Sequence, residues 1–135
     1  MSGDLHFLGA VEAGRLIRTR KLSPVELVDA FLRRIDAVDG TVHSYVTVLA
    51  EPAIAAARAA EAEIMAGHWR GPLHGLPYGL KDNFFTKGIR TSAGSRLMQD
   101  HVPARDAAVR SRLADAGAIL LGKFSTYEFG TGLSS

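Results

Sequence analysis

The sequence predicts an α/β fold, with helices in residues 1–70 and the first strands and helix of a sheet-based core in residues 71–135. Apolar residues recur every three or four positions in the first part, which is typical of helices that cover a core. In the second part a predicted strand at 76–81, a helix at 106–116 and a strand at 118–121 alternate, as they do in α/β folds. Because a sheet of two or three strands would leave its edges unpaired, the fold is predicted to be incomplete.

Two helices are predicted in the first forty residues. The first covers residues 8–20, although Gly14 weakens the pattern. The second begins at Ser23-Pro24-Val25-Glu26, which offers a capping serine, a proline suited to the first helical position and the glutamate of a capping box. It is predicted to end near Val38, because Asp39-Gly40 follows. Its apolar residues form one stripe that is expected to face the core: Leu27, Val28, Phe31, Leu32, Ile35 and Val38.

The remainder of the first part holds one extended segment and one helix. Residues 42–49 contain β-branched and aromatic side chains and could form a short extended segment. An alanine-rich helix is predicted from Pro52 to about Ala66, with Gly67 as its stop. Trp69 follows this helix and is interpreted as a side chain that holds the helix onto the core.

The stretch Gly71–Ser95 organises the rest of the chain, because turn residues bracket a single apolar run in it. That run is predicted to be a strand and ends on Lys81, at the carboxyl end of the strand, where open α/β sheets keep their ligand crevices. Lysine is rarely buried without a partner. Its stem can also cover apolar surface while the ammonium reaches water. Position alone leaves open whether Lys81 is functional.

Three elements are predicted after this stretch. A helix runs from about Asp106 to Ala116 and ends at Gly117. Residues 118–121 are wholly apolar, which is typical of a strand covered on both faces. The segment Ser125–Phe129 could begin another helix.

Composition excludes several classes of protein. The 16 basic and 14 acidic residues are spread along the chain, with one basic cluster at Arg15–Lys21, so no nucleic-acid partner is predicted. The absence of cysteine excludes disulfides and thiolate metal sites. No run approaches the roughly 18 apolar residues of a membrane span, and the first residues do not form a secretory signal. We therefore expect a cytoplasmic protein with no membrane partner.

Three apparent motifs are better explained without a bound ligand. Gly117–Lys123 matches part of a phosphate-binding loop, but its middle residues are apolar and strand-forming, and Phe124 stands where Ser or Thr would bind magnesium. The histidines show no metal-ligand spacing, so neither a metal nor a cofactor is predicted. A Ser-His-Asp triad using His74 or His101 lacks an elbow to present a serine. Ser95 is expected to bond to local backbone instead.

Three blocks of the sequence, in order, resemble the front part of the amidase signature family: GPLHGLPYGLKDN, TKGIRTSAGS and AGAILLGKFSTYEF. The resemblance runs from about Leu8 to the last residue. It implies a mixed-sheet α/β/α core and an enzyme that hydrolyses, or transfers across, a carboxamide. The family does so with a serine nucleophile, a second serine on a cis peptide bond and a lysine. That lysine lies in the family's K-D-N segment, which corresponds here to Lys81.

The resemblance gives Lys81 the role of catalytic base. A lysine can accept a proton only when it is neutral. Burial against Leu76 and Leu80 would favour the neutral amine by desolvation. In the family the lysine takes a proton from the cis-bonded serine, which activates the nucleophile, and an acyl-enzyme forms and is hydrolysed. The resemblance also implies that Gly130, Thr131 and Gly132 form part of the wall of a substrate channel.

The resemblance departs from the family at the serines. Both lie in a Gly/Ser-rich stretch several dozen residues beyond the lysine, and the sequence reaches Ser135 before one appears. Residues 1–135 are therefore interpreted as a single incomplete amidase domain, with a helical part at 1–70 and the start of the α/β core at 71–135, inactive alone. The expected partners are a small-molecule amide in the full-length enzyme and either a second copy in a homodimer or a missing C-terminal portion.

Two alternatives stay open. One is the amidase subunit of the amidotransferase that amidates mischarged tRNA, which would require partner subunits. The other is a non-catalytic binding module that kept the front half of the fold. The Phe84-Phe85 pair and Tyr127 do not decide between these functions, and a stand-alone amidase is preferred.

Overall fold

The computed structural model describes residues 5–132, in which helices pack on a three-stranded sheet. In chain order the elements are α1 (Ala10–Arg18), α2 (Pro24–Val42), β1 (Tyr45–Val48), α3 (Ala50–Met65), β2 (Pro77–Lys81), α4 (Ala108–Asp115) and β3 (Ile119–Phe124). Single 3₁₀ turns lie at Leu5–Phe7, Arg96–Met98 and Glu128–Gly130. The predicted α/β class is confirmed.

The sheet is mixed, with β3 at its centre. β1 pairs with β3 in the antiparallel sense, and β2 pairs with β3 in the parallel sense. Because β2 and β3 are parallel, their carboxyl ends lie side by side, with Lys81 opposite Phe124 and Leu80 opposite Lys123. The parallel pairing of β2 with β3 is irregular at one point. Tyr78 pairs with Leu120 and Gly79 with Gly122, so Leu121 has no partner in β2.

Helix α2 joins two apolar clusters into one core. Its residue Leu27 belongs to a cluster built with α1, the end of α3 and Leu76, which Trp69 also contacts, as predicted. Its residue Val28 belongs to a second cluster, in which the alanines of α3 pack against Ile119 and Leu121 of β3. Small alanine side chains let α3 approach closely. The core therefore holds β3 firmly and so fixes the carboxyl end where Lys81 and Lys123 lie.

The capping prediction for α2 is confirmed, but its predicted end is wrong. The Ser23 side chain accepts from the backbone N–H groups of Val25 and Glu26, and the Glu26 carboxylate accepts from the Ser23 N–H. The helix runs past Gly40 to Val42 and ends at His43, which adopts a left-handed conformation. Asp39 does not end the helix. It lies within the last turn, and its carboxylate accepts from the N–H groups of the two residues that follow His43.

Other boundaries shift by a few residues. Helix α3 begins at Ala50, two residues before Pro52, because a proline fits anywhere in the first helical turn. Helix α4 begins at Ala108, because the Asp106 carboxylate accepts from the Lys87 N–H instead of capping the helix. Strand β3 continues to Phe124, three residues beyond the predicted end. The predicted helix at 125–129 is instead a single 3₁₀ turn.

In the part of the chain that the structure describes, no helix combines the length and the apolar character needed to cross a bilayer.

Candidate active site

Lys81 is the last residue of β2 and lies at the carboxyl end of the parallel strand pair. The next residue leaves the sheet in a tight turn, in which the Phe84 N–H donates to the Lys81 carbonyl at 3.0 Å. The Lys81 side chain is half-buried. Within residues 5–132 its amine has no hydrogen-bond acceptor, so it is available to a group from outside these residues.

Gly130 lies directly against this lysine. A methyl group built on Gly130 would lie 3.5 Å from Lys81 Nζ and 2.6 Å from the Asn83 amide nitrogen. The residue also has a φ of +74°, a conformation that side chains disfavour. A glycine at this position therefore lets the chain pass close to the lysine. The family resemblance predicted roles for both Lys81 and Gly130, and the structure places these two residues next to each other.

The other two predicted wall residues lie further along the same exposed segment. Thr131 follows the 3₁₀ turn in an extended conformation, and its N–H donates to the Glu128 carbonyl. Gly132 has a φ of +138°, and a methyl group on it would lie 3.8 Å from Tyr127 Cβ. Of the two predicted wall residues that are glycines, only Gly130 lies within such reach of Lys81.

A fully buried lysine, Lys123, lies beside the predicted one. It comes from β3, one position before Phe124, the partner of Lys81 in the sheet. Its Nζ donates to Thr91 Oγ1 at 2.8 Å and to the Phe84 carbonyl at 3.0 Å. It also lies 3.2 Å from Asp82 Oδ1, as an ion pair without the alignment of a hydrogen bond. Lys123 thus joins β3 to the turn that follows Lys81 and to the segment of Thr91.

The second carboxylate oxygen of Asp82 is held by a single neighbour. Both the N–H and the Oγ–H of Ser92 donate to Asp82 Oδ2, at 3.0 Å and 2.5 Å. Asp82 and Lys123 are 1% and 0% exposed, so water contributes little to either charge. Desolvation lowers the pKa of Lys123, and its contact with Asp82 partly offsets that shift.

The two serines considered for a triad have other partners, and so does His74, whereas the buried Nε2 of His101 has no hydrogen-bond partner among the described residues. Ser95 accepts from the Leu97 N–H, as predicted, and also donates to Glu128 at 2.8 Å. Ser92 is committed to Asp82. The buried His74 lies at the other end of the sheet, where its Nε2 is 3.2 Å from Glu63. None of these pairs forms a triad.

Sequence reasoning missed the buried pair. From the sequence, Asp82 is only one of the turn residues that bracket the apolar run before it, and Lys123 is only part of a false phosphate-binding loop. The available signal was the apolar run of β3 continuing through a lysine, since a lysine inside a core strand requires a buried partner. Among the described residues, no group of three or more His, Asp or Glu side chains is arranged to hold a metal ion.

Comparison with known proteins identifies what the chain is similar to. The Amidase family profile matches residues 26–135. One subunit of the glutamyl-tRNA(Gln) amidotransferase of Moorella thermoacetica is 44% identical over 98% of the chain and 27% of its own length. The putative amidase AmiD of Mycobacterium tuberculosis is 46% identical over 90% of the chain and 26% of its own length.

Solved structures agree with these sequence matches. The peptide amidase of Stenotrophomonas maltophilia superposes with a TM-score of 0.82 at 35% identity, over 89% of the chain and 25% of the amidase. Fatty acid amide hydrolase superposes with a TM-score of 0.87 at 24% identity, over 93% of the chain and 22% of that enzyme, which is a likeness of fold. The chain thus spans about a quarter of the length of these relatives.

Proposed function

The chain belongs to the Amidase family, and we propose that its Lys81 is the general base for cleavage of a carboxamide bond. The observation that carries the proposal is the position of the amine. It projects from the carboxyl end of β2 beside Gly130, with no acceptor among residues 5–132. A base must lie within hydrogen-bond reach of the proton that it takes, and a free amine beside an open glycine turn meets that geometric need.

The chain supplies one part of the proposed mechanism. Lys81 takes a proton from the cis-bonded serine, which activates the nucleophilic serine that attacks the amide carbon. Both serines belong to the part of the family fold that lies beyond these residues. The segment Gly130, Thr131 and Gly132 forms part of the channel wall, where a side chain at Gly130 would obstruct the lysine. The 135 residues alone are expected to be inactive.

A chimera tests the proposal. Residues 5–132 replace the matching segment of the Stenotrophomonas peptide amidase, and ammonia release from a peptide amide is measured. The folded chimera should be active, and Lys81→Met should lower kcat by about 10²-fold or more, in line with the loss of a general base. Lys87→Met is the matched control, because Lys87 is exposed in the same loop. A folded Lys81→Met chimera with full activity would show that Lys81 is structural.

A second candidate is the amidase subunit of a tRNA-dependent amidotransferase. It is favoured by the match to the Moorella amidotransferase subunit, which covers 98% of the chain against 90% for AmiD. The two candidates differ in their need for partners. A chimera built into that Moorella protein would release ammonia from an amide only with its partner subunits present. Equal activity without those subunits would favour a stand-alone amidase, which remains the preferred function.

A further inference from the structure

The burial of the ion pair of Asp82 and Lys123 is not explained by the stability of the fold alone. Removing two charges from water costs free energy that their attraction often fails to recover, so an apolar pair of similar size would stabilise the fold as well. The pair sits at the carboxyl ends of β2 and β3, and Asp82 directly follows Lys81. Its location beside the proposed base therefore points to a role in function rather than in stability.

The pair holds the turn that carries Lys81 from two sides. On one side the Asp82 N–H donates to the Phe124 carbonyl at 2.9 Å, which continues the sheet past Lys81. On the other side Lys123 Nζ bonds to the Phe84 carbonyl, while the Phe84 N–H bonds to the Lys81 carbonyl. Movement of Lys123 would therefore release the turn at Phe84 and with it the backbone of Lys81.

The backbone of Asp82 connects Lys81 to the segment of Gly130. The Asp82 carbonyl accepts from the Ala93 N–H at 2.9 Å, and the Ala93 carbonyl accepts from the Phe129 N–H at 2.7 Å. Gly130 follows Phe129 and lies against the amine of Lys81. Two backbone hydrogen bonds thus fix the distance between the lysine and the predicted channel wall.

We propose that Asp82 and Lys123 are positioning residues, which fix the amine of Lys81 relative to Gly130 through the turn at Phe84 and the segment around Ala93. Thr91 and Ser92 complete this assembly, because they bond to Lys123 and Asp82 respectively. The inference rests on the proposed function of Lys81 as the base. It adds that the base is correctly oriented only while the buried pair is intact.

The first test needs no activity. In the 135-residue chain labelled with ¹³C-lysine, the Cε–Hε signal of Lys81 is assigned by its loss in Lys81→Met. Asp82→Asn and Thr91→Val should both shift or broaden it at a temperature where the methyl signals of α2 and α3 keep their native positions. Thr91 accepts a hydrogen bond from Lys123, so its effect on Lys81 is expected to pass through the pair. Lys87→Met should leave the signal in place.

The second test uses the chimera, where misplacement of the base should lower kcat by about tenfold or more while KM changes little. A Lys81 signal that stays in place in folded Asp82→Asn and Thr91→Val chains would overturn the proposal. If Asp82→Asn does not fold, Thr91→Val decides alone, since it keeps both charges. An inactive wild-type chimera would count against the function of Lys81, whereas the signal of Lys81 would still decide the positioning role.

Discussion

The two ends of the three-stranded sheet both carry charged side chains, but only one end buries them completely. At the carboxyl ends of β2 and β3, Asp82 and Lys123 are 1% and 0% exposed. At the opposite end, the Glu63 and Arg70 side chains are 32% and 42% exposed, although the histidine between them is buried. Solvent can replace a lost partner at the second end and cannot do so at the first. Loss of one charge of the pair is therefore tolerated at one end and costly at the other.

The largest effect is expected from Lys123→Met, which leaves the Asp82 carboxylate buried without its cation. Breaking a buried pair from one side costs about 3–5 kcal/mol in the free energy of unfolding. Urea unfolding followed by the fluorescence of the single tryptophan, Trp69, measures this loss. Asp82→Asn/Lys123→Met, which removes both charges, should recover much of the stability. A Lys123→Met chain as stable as the Lys87→Met control would show that the burial of this charge pair does not make the loss of one partner costly.

The sequence predicted the apolar elements of the fold more reliably than it predicted which end of the sheet buries its charges. The α2 stripe, its capping box and the strand before Lys81 follow from local spacing and cap chemistry, and the structure contains all three. Lys123 could not be placed in the same way, because β3 skips one residue against β2 just before it. A bulge of this kind changes which way the following side chains point, so period-two counting fails there.

The position of Gly130 shows a second limit of sequence reasoning. The family resemblance predicted Lys81 and Gly130 as separate features, one at a strand end and one in a late loop. Their approach depends on hydrogen bonds that join Asp82, Ala93 and Phe129, which are far apart in sequence. Such long-range backbone pairing leaves no periodic pattern in a single sequence. The residue types could be read, but their distance from each other could not.

An intermediate effect is expected from pH, and it should arise at the His74 end of the sheet. Burial, the largest cause, lowers the pKa of His74, the Arg70 charge acts in the same direction, and Glu63 opposes both. The unfolded chain therefore binds the proton more readily, and the stability from neutral His74 is present above the unfolded pKa of about 6.5 and is lost as the pH falls below it. Glu63 stays ionised in this range, because Arg70 lowers its pKa.

Unfolding free energies measured between pH 5 and pH 8 would show this loss. His74→Gln should flatten the dependence near the unfolded pKa of histidine, and the total change should stay below the loss caused by Lys123→Met. His68→Gln is the matched control, because His68 is exposed on the same loop. A His68→Gln profile as flat as that of His74→Gln would show that burial of the ring is not the cause.

The smallest effect is expected from Arg70→Met, although the pair that it breaks has ideal geometry. Arg70 donates two parallel hydrogen bonds to the Glu63 carboxylate, at 2.7 Å and 2.5 Å. Both side chains reach water, which solvates the carboxylate once the arginine is gone, and salt screens what remains of the attraction. The unfolding midpoint in urea should therefore shift only slightly, and less at high salt. Arg33→Met, which breaks an exposed ion pair within α2, should shift the unfolding midpoint by a similarly small amount. A loss as large as that of Lys123→Met would mean that exposure does not separate the two ends.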